Sequence, residues 1–99
     1  MSLNSKERAY LMSLAHSLDP IFNVGKGSVT PEMIDGIAAA LEKRELIKIG
    51  VLKNCANDPR DIAEVVSERT HSSVVKVIGK KIILYKRNNK DPKIEFPKK

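Results

Sequence analysis

Seven consecutive residues, Gly25-Lys26-Gly27-Ser28-Val29-Thr30-Pro31, combine two glycines, a lysine, two hydroxyls and a proline. Without a Cβ, a glycine leaves the backbone free to turn N–H groups toward one point. Thr30 before Pro31 is a helix start, the hydroxyl capping an otherwise unpaired amide and the proline presetting φ. Exposed amides, the positive end of a helix dipole and the Lys26 ammonium therefore meet in one place. A phosphate suits all three. A plain strand-to-helix turn draws on the same residue types. The spacing is neither that of a nucleotide-binding P-loop nor Gly-x-Gly-x-x-Gly, so no nucleotide cofactor is implied.

The other reactive side chains have simpler duties. Asp58 and Asp61 sit where a helix begins, and capping with dipole compensation accounts for both. His16 lies near a helix end and His71 at a helix–strand junction, neither with a partner at metal-ligand spacing. Cys55 stands in a polar loop where no neighbour offers a base or an oxyanion donor. As the single cysteine it also excludes an internal disulfide and a multi-cysteine zinc site. No enzymatic activity, metal, cofactor or small-molecule substrate is expected.

Charge narrows the partner. Residues 1–70 carry nine Lys/Arg and ten Asp/Glu, whereas residues 71–99 carry nine against two, so the whole net charge of +6 lies in the last third. That asymmetry points to a polyanion. Aromatics are few (Tyr10, Phe22, Tyr85, Phe96), which disfavours a platform built on base stacking. No run approaches the ~20 apolar residues that span a bilayer, and the N-terminus lacks a signal-peptide core, so no membrane is expected and the cytoplasm is.

Periodicity supplies the elements that must position the loop. Asn4 with Glu7 forms a capping box opening a helix over 5–18, with Leu11, Leu14, Ala15 and Leu18 as its stripe and Asp19-Pro20 as its end. Residues 21–24 form a short strand ahead of the glycines. A second helix spans 31–44, with Ile34, Ile37, Ala38 and Leu41 inward. In the strand 46–51, Ile47, Ile49 and Val51 face one way and Leu46, Lys48 and Gly50 the other. After a loop at 53–57, Asp58-Pro59 starts a third helix, whose inner face is Ile62, Val65 and Val66 and which ends near Thr70 or His71. Two β-branched runs, 73–78 and 81–86, flank Gly79-Lys80, a link suited to a type II′ hairpin.

The fold class is α/β: one compact domain, 1–87, in the order α-β-α-β-α-β-β, with a four-stranded mixed sheet packed with helices. A basic tail or edge segment, 88–99, follows. The crossovers imply parallel pairing, and the first three strands then end at one sheet edge. That edge gathers the glycine loop, the 53–57 loop and the hairpin turn, where ligands of open α/β sheets bind. Lys26, Lys53, Lys80 and Lys81 can there face one guest.

Several stretches together carry a family resemblance. They are Leu3-Asn4-Ser5-Lys6-Glu7 leading into Leu14-Ala15-His16; Val24 through Thr30; Ala40-Leu41-Glu42 with Glu45-Leu46-Ile47-Lys48; and Val77-Ile78-Gly79-Lys80 with Leu84-Tyr85-Lys86. In this order, over nearly the whole chain, they resemble the CRM domain (chloroplast RNA splicing and ribosome maturation) in its small stand-alone YhbY-like form. The resemblance implies an RNA-binding domain, similar in fold to the C-terminal domain of translation initiation factor three and associated with precursors of the large ribosomal subunit. It places the family's Gly-x-x-Gly loop, reminiscent of the KH backbone clamp, on Gly25-Lys26-Gly27-Ser28. Ser28 stands in place of the second glycine, and Gly27 is expected to supply the missing freedom.

The functional expectation is a non-enzymatic monomer that binds RNA, ribosomal or pre-ribosomal. Gly25, Lys26, Gly27, Ser28 and Thr30 hold a phosphate, while Lys53, Lys80, Lys81, Lys86 and Arg87 add attraction to the backbone. Two other readings stay open. One is a DNA-binding winged-helix-like module with the basic hairpin as wing; the other is a protein-binding adaptor on the ribosome.

Overall fold

The capping box of the first helix is complete: Asn4 Oδ1 accepts from the Glu7 N–H at 2.8 Å, and Glu7 Oε1 accepts from the Asn4 N–H at 3.0 Å. In the computed structural model, which describes residues 3–96, it opens α1 (Ser5–Ala15). This helix stops three residues before the expected end, because the Leu18 N–H turns back to Ala15 O (3.0 Å) in a tighter turn ahead of Pro20. The remaining elements keep the expected order: β1 (Phe22–Val24), α2 (Pro31–Arg44), β2 (Leu46–Val51), α3 (Pro59–Thr70), β3 (Ser73–Ile78) and β4 (Lys81–Tyr85). Thr30 Oγ1 caps α2 and Asp58 Oδ1 caps α3, each with a proline in the first helical turn.

The strands form one sheet in the order β1-β2-β4-β3, with β1–β2 parallel and both pairs involving β4 antiparallel. β4 therefore lies in the interior of the sheet. The β3–β4 hairpin is thus joined to the rest of the sheet through its second strand. At the turn the left-handed φ falls on Gly79 (56°) and not on Lys80, as a type II′ link requires.

Each face of the sheet has its own cover. Ile47, Ile49 and Val51 of β2 meet Ile37 and Leu41 of α2 and Ile62, Ala63 and Val66 of α3, whereas Leu46 faces Leu11 and Ala15 of α1. The strand phase is the expected one. Val65, expected inward, is 46% exposed: Ile62, Ala63 and Val66 already fill the face of α3 toward the sheet. Gly36 lets β1 approach α2, since a Cβ there would come within 3.1 Å of the Phe22 ring. On the other face, Arg8 Nη1 donates to Val74 O (2.7 Å) and Val75 O (2.8 Å), where the register of β3 shifts between Val74 and Lys76. The guanidinium serves carbonyls beside the irregularity in the ladder.

The chain beyond β4, expected as a tail or an edge segment, is tied down as far as it is described, and 97–99 lie outside the described residues. Its anchor is Glu45, fully buried at the end of α2 with φ 64°. Glu45 Oε2 accepts from the Asn88 N–H (2.6 Å), and Oε1 accepts from the N–H groups of Lys93 and Ile94 (both 2.7 Å). Ile94 and Phe96 then pack on the α1 side of the sheet, the Phe96 ring 5.8 Å from both Tyr10 and Tyr85.

Two outcomes follow for stability. Glu45→Gln keeps one acceptor oxygen for three donors, so urea unfolding should show a loss of about 1–3 kcal/mol per amide left unpaired. Hydrogen exchange should accelerate at Lys93 and Ile94. Tyr85 is fully buried and its hydroxyl has no hydrogen-bond partner among the described residues. Burial pushes its pKa above 10, the Glu45 carboxylate adds to the rise, and Arg87 opposes it. The folded chain thus holds this proton more tightly than the unfolded one. Its contribution is complete below pH 10 and is lost as pH rises through the folded value. Tyr85→Phe should match or exceed the wild-type melting temperature and flatten the alkaline loss.

Candidate functional site

Two backbone hydrogen bonds stitch three loops together at the edge where β1, β2 and β3 end. The Leu52 N–H donates to Val24 O, and the Val51 N–H donates to Lys80 O, both at 2.8 Å. The glycine loop, the segment after β2 and the hairpin turn are therefore neighbours, as the parallel arrangement predicts. Within the first of them the Ser28 N–H donates to Gly25 O (2.9 Å), closing a turn with Lys26 and Gly27 at its corner. A Cβ on Gly25 would lie 3.5 Å from both Asn54 Oδ1 and Leu52 Cδ1, whereas one on Gly27 would meet open space.

The strained residue is not the expected one. Ser28 takes the left-handed conformation (φ 55°), while Gly27 has no positive φ. The freedom expected of Gly27 is not used; Ser28 itself adopts the geometry that glycine would reach without penalty. Lys26 and Gly27 are both exposed, and neither forms a hydrogen bond to the rest of the described chain.

Lysines dominate this edge, and the exposed Asp61 carboxylate lies beside the turn in a groove it shares with Ser28. Lys26, Lys53, Lys80 and Lys81 are exposed, and among the described residues the ion pair within 4 Å is Lys93 with Asp91 (2.6 Å) elsewhere. Thr30 Oγ1 accepts from the Met33 N–H at 3.2 Å, so it shapes the start of α2 behind the turn. Four unpaired ammonium groups, free loop amides and a helix N-terminus can together hold a phosphate.

Lys86 and Arg87 belong to a different place. They follow the far end of β4, about 15 Å away along a five-residue strand at ~3.3 Å per residue. Lys86 Nζ donates to Thr70 O at 3.1 Å and so serves the C-terminus of α3. Two apolar residues at the lysine edge went unmarked as surface features: Leu52 beside Gly25, and Ile78 at the end of β3, 45% and 47% exposed. Ile78 continues a β-branched run and Leu52 follows one, so pattern alone gave no sign of their exposure. Among the described residues no helix is long and apolar enough to cross a membrane.

Comparison with known proteins finds a family model and relatives that span most of the chain. The model of the CRS1/YhbY (CRM) domain matches residues 3–86. The probable RNA-binding protein YqeI of Bacillus subtilis is 48% identical over 95 residues, which cover 96% of this chain and 99% of that protein. A protein of Haemophilus influenzae named RNA-binding protein is 31% identical over 98 residues, 99% of this chain and 98% of its own length. The solution structure of a hypothetical protein from Staphylococcus aureus superposes with a TM-score of 0.80 at 46% identity, covering 97% of this chain and 100% of that one.

Ser28 gives the site its own test. Ser28→Gly should raise stability by about 1 kcal/mol, because the left-handed region is strained for a residue with a Cβ. Ser28→Val, β-branched at the same φ, should lower the melting temperature clearly.

Proposed function

The chain belongs to the CRS1/YhbY (CRM) domain family, and on that premise we propose that it binds ribosomal RNA, without enzymatic activity, during assembly of the large ribosomal subunit. The observation that carries this reading is the convergence of Lys26, Lys53, Lys80 and Lys81 on the sheet edge around an exposed turn. The turn holds a backbone phosphate between the Lys26 and Gly27 amides and the α2 N-terminus. Lys53, Lys80 and Lys81 neutralise neighbouring phosphates. Such contacts set position and register, while selection among RNAs comes from shape and from unpaired nucleotides. The protein acts as a cytoplasmic monomer, and Lys86 and Arg87 add weaker, long-range attraction from the far end.

The relatives' names and the charge of the edge both support RNA as the partner. The ribosomal assignment rests on the family resemblance.

A salt titration tests the mechanism. With about four phosphates neutralised, log K should fall against log salt with a slope of roughly −3 to −4. Lys26→Ala should weaken binding and reduce the slope by about one, with an unchanged melting temperature. A flat salt response would sink the phosphate clamp. Sedimentation of the tagged protein from cells at low salt should place it with large-subunit precursors; recovery only in the free fraction would remove the ribosomal assignment.

A further inference from the structure

Beside the glycine loop lies a groove of about 160 Å³ between that loop and α3, lined by Ser28, Val29, Asn57, Asp61, Ile62 and Val65. It is smaller than the roughly 300–1,000 Å³ of a drug-sized ligand site. Its lining is graded: Ile62 is buried, Val29 is half-buried and Val65 is 46% exposed, which makes an aliphatic strip, while Ser28, Asn57 and Asp61 are polar.

We propose that this groove receives one unpaired guanine of the bound RNA, with the Asp61 carboxylate reading its Watson–Crick edge. The inference rests on the reading of the protein as RNA-binding and adds a base preference to it. Three observations carry it. Ser28 belongs both to the phosphate turn and to the groove wall, so a nucleotide held by the turn has its own base within reach. Val65 is the apolar residue of α3 that the core leaves uncovered, and it presents an aliphatic surface on which a base plane can lie.

The third observation is the carboxylate. Asp58 already caps α3 by accepting from the Arg60 N–H at 2.8 Å, whereas the Asp61 side chain is exposed and without a hydrogen-bond or ion-pair partner among the described residues. Close to a phosphate site a carboxylate repels the backbone, so its favourable partner is a group that only donates. An ionised carboxylate accepts at two oxygens and donates nothing. Guanine presents two adjacent donors, N1–H and the N2 amine, which match a carboxylate side by side. Adenine, cytosine and uracil each place an acceptor beside their Watson–Crick donor. In a duplex both guanine donors are taken by cytosine, so only an unpaired guanine fits.

The test uses the full chain and four single-stranded oligonucleotides that are oligouridine except for one central G, A, C or U, titrated by fluorescence anisotropy at low salt. Wild type should favour the G oligonucleotide by roughly tenfold, the scale of a bidentate base contact. Asp61→Asn should lose that preference while binding the other three within about twofold of wild type, and its melting temperature checks the fold. Lys26→Ala should weaken all four alike and keep the preference. Equal wild-type affinities, or a guanine preference that survives Asp61→Asn, overturns the guanine site and leaves RNA binding standing. No binding to any of the four overturns both.

Discussion

Three backbone amides converge on one buried carboxylate, and the arrangement of the domain depends on that convergence. Glu45 turns the chain from α2 into β2 at a positive φ, and its backbone carbonyl accepts from the Lys86 N–H just past β4 (2.9 Å). Its side chain fixes the segment that covers Tyr85. A carboxylate removed from water is stable only when its oxygens are saturated with donors, so none of these connections is optional for the others. The consequence reaches the opposite end of the molecule. α2 is a rod of 14 residues, about 21 Å at 1.5 Å per residue, and fixing its C-terminus sets where its N-terminus meets the glycine turn.

The lysine edge is rigid for a related reason. Its loops hang from the ends of a sheet whose two faces are both packed, and backbone hydrogen bonds link loop to loop across the edge. The four ammonium groups reach from fixed stems, so less ordering remains to be done when a polyanion arrives. The separation of Lys86 and Arg87 from this cluster divides the basic last third of the chain between two ends of the sheet.

What the sequence reveals depends on how far apart the partners are. Capping residues act within three positions of the helices they start, so Asn4, Thr30 and Asp58 announce α1, α2 and α3 directly. The two-residue period of β2 and the hairpin glycine are equally local. Glu45 sits in a charged run, Glu42-Lys43-Arg44-Glu45, and looks like surface; its partners lie 43 to 49 positions downstream, beyond any local pattern. Val65 has the right helical phase for the core, but three neighbours on α3 fill the available face. At the candidate site the residue types were legible, and so was the question at Ser28. Which residue carries the positive φ was not, because that is decided by how the turn closes on Gly25.

The Arg8 contact with β3 has a further meaning. A sheet of four strands exposes two edges: β1 offers three residues, too few to template a partner, but β3 offers six. An unprotected edge of that length invites strand addition by another chain, the first step of aggregation. The shifted register around Val75, with the Arg8 guanidinium seated on its carbonyls, interrupts the row of free groups. A side chain on the first helix thereby guards the last exposed edge of the sheet against self-association.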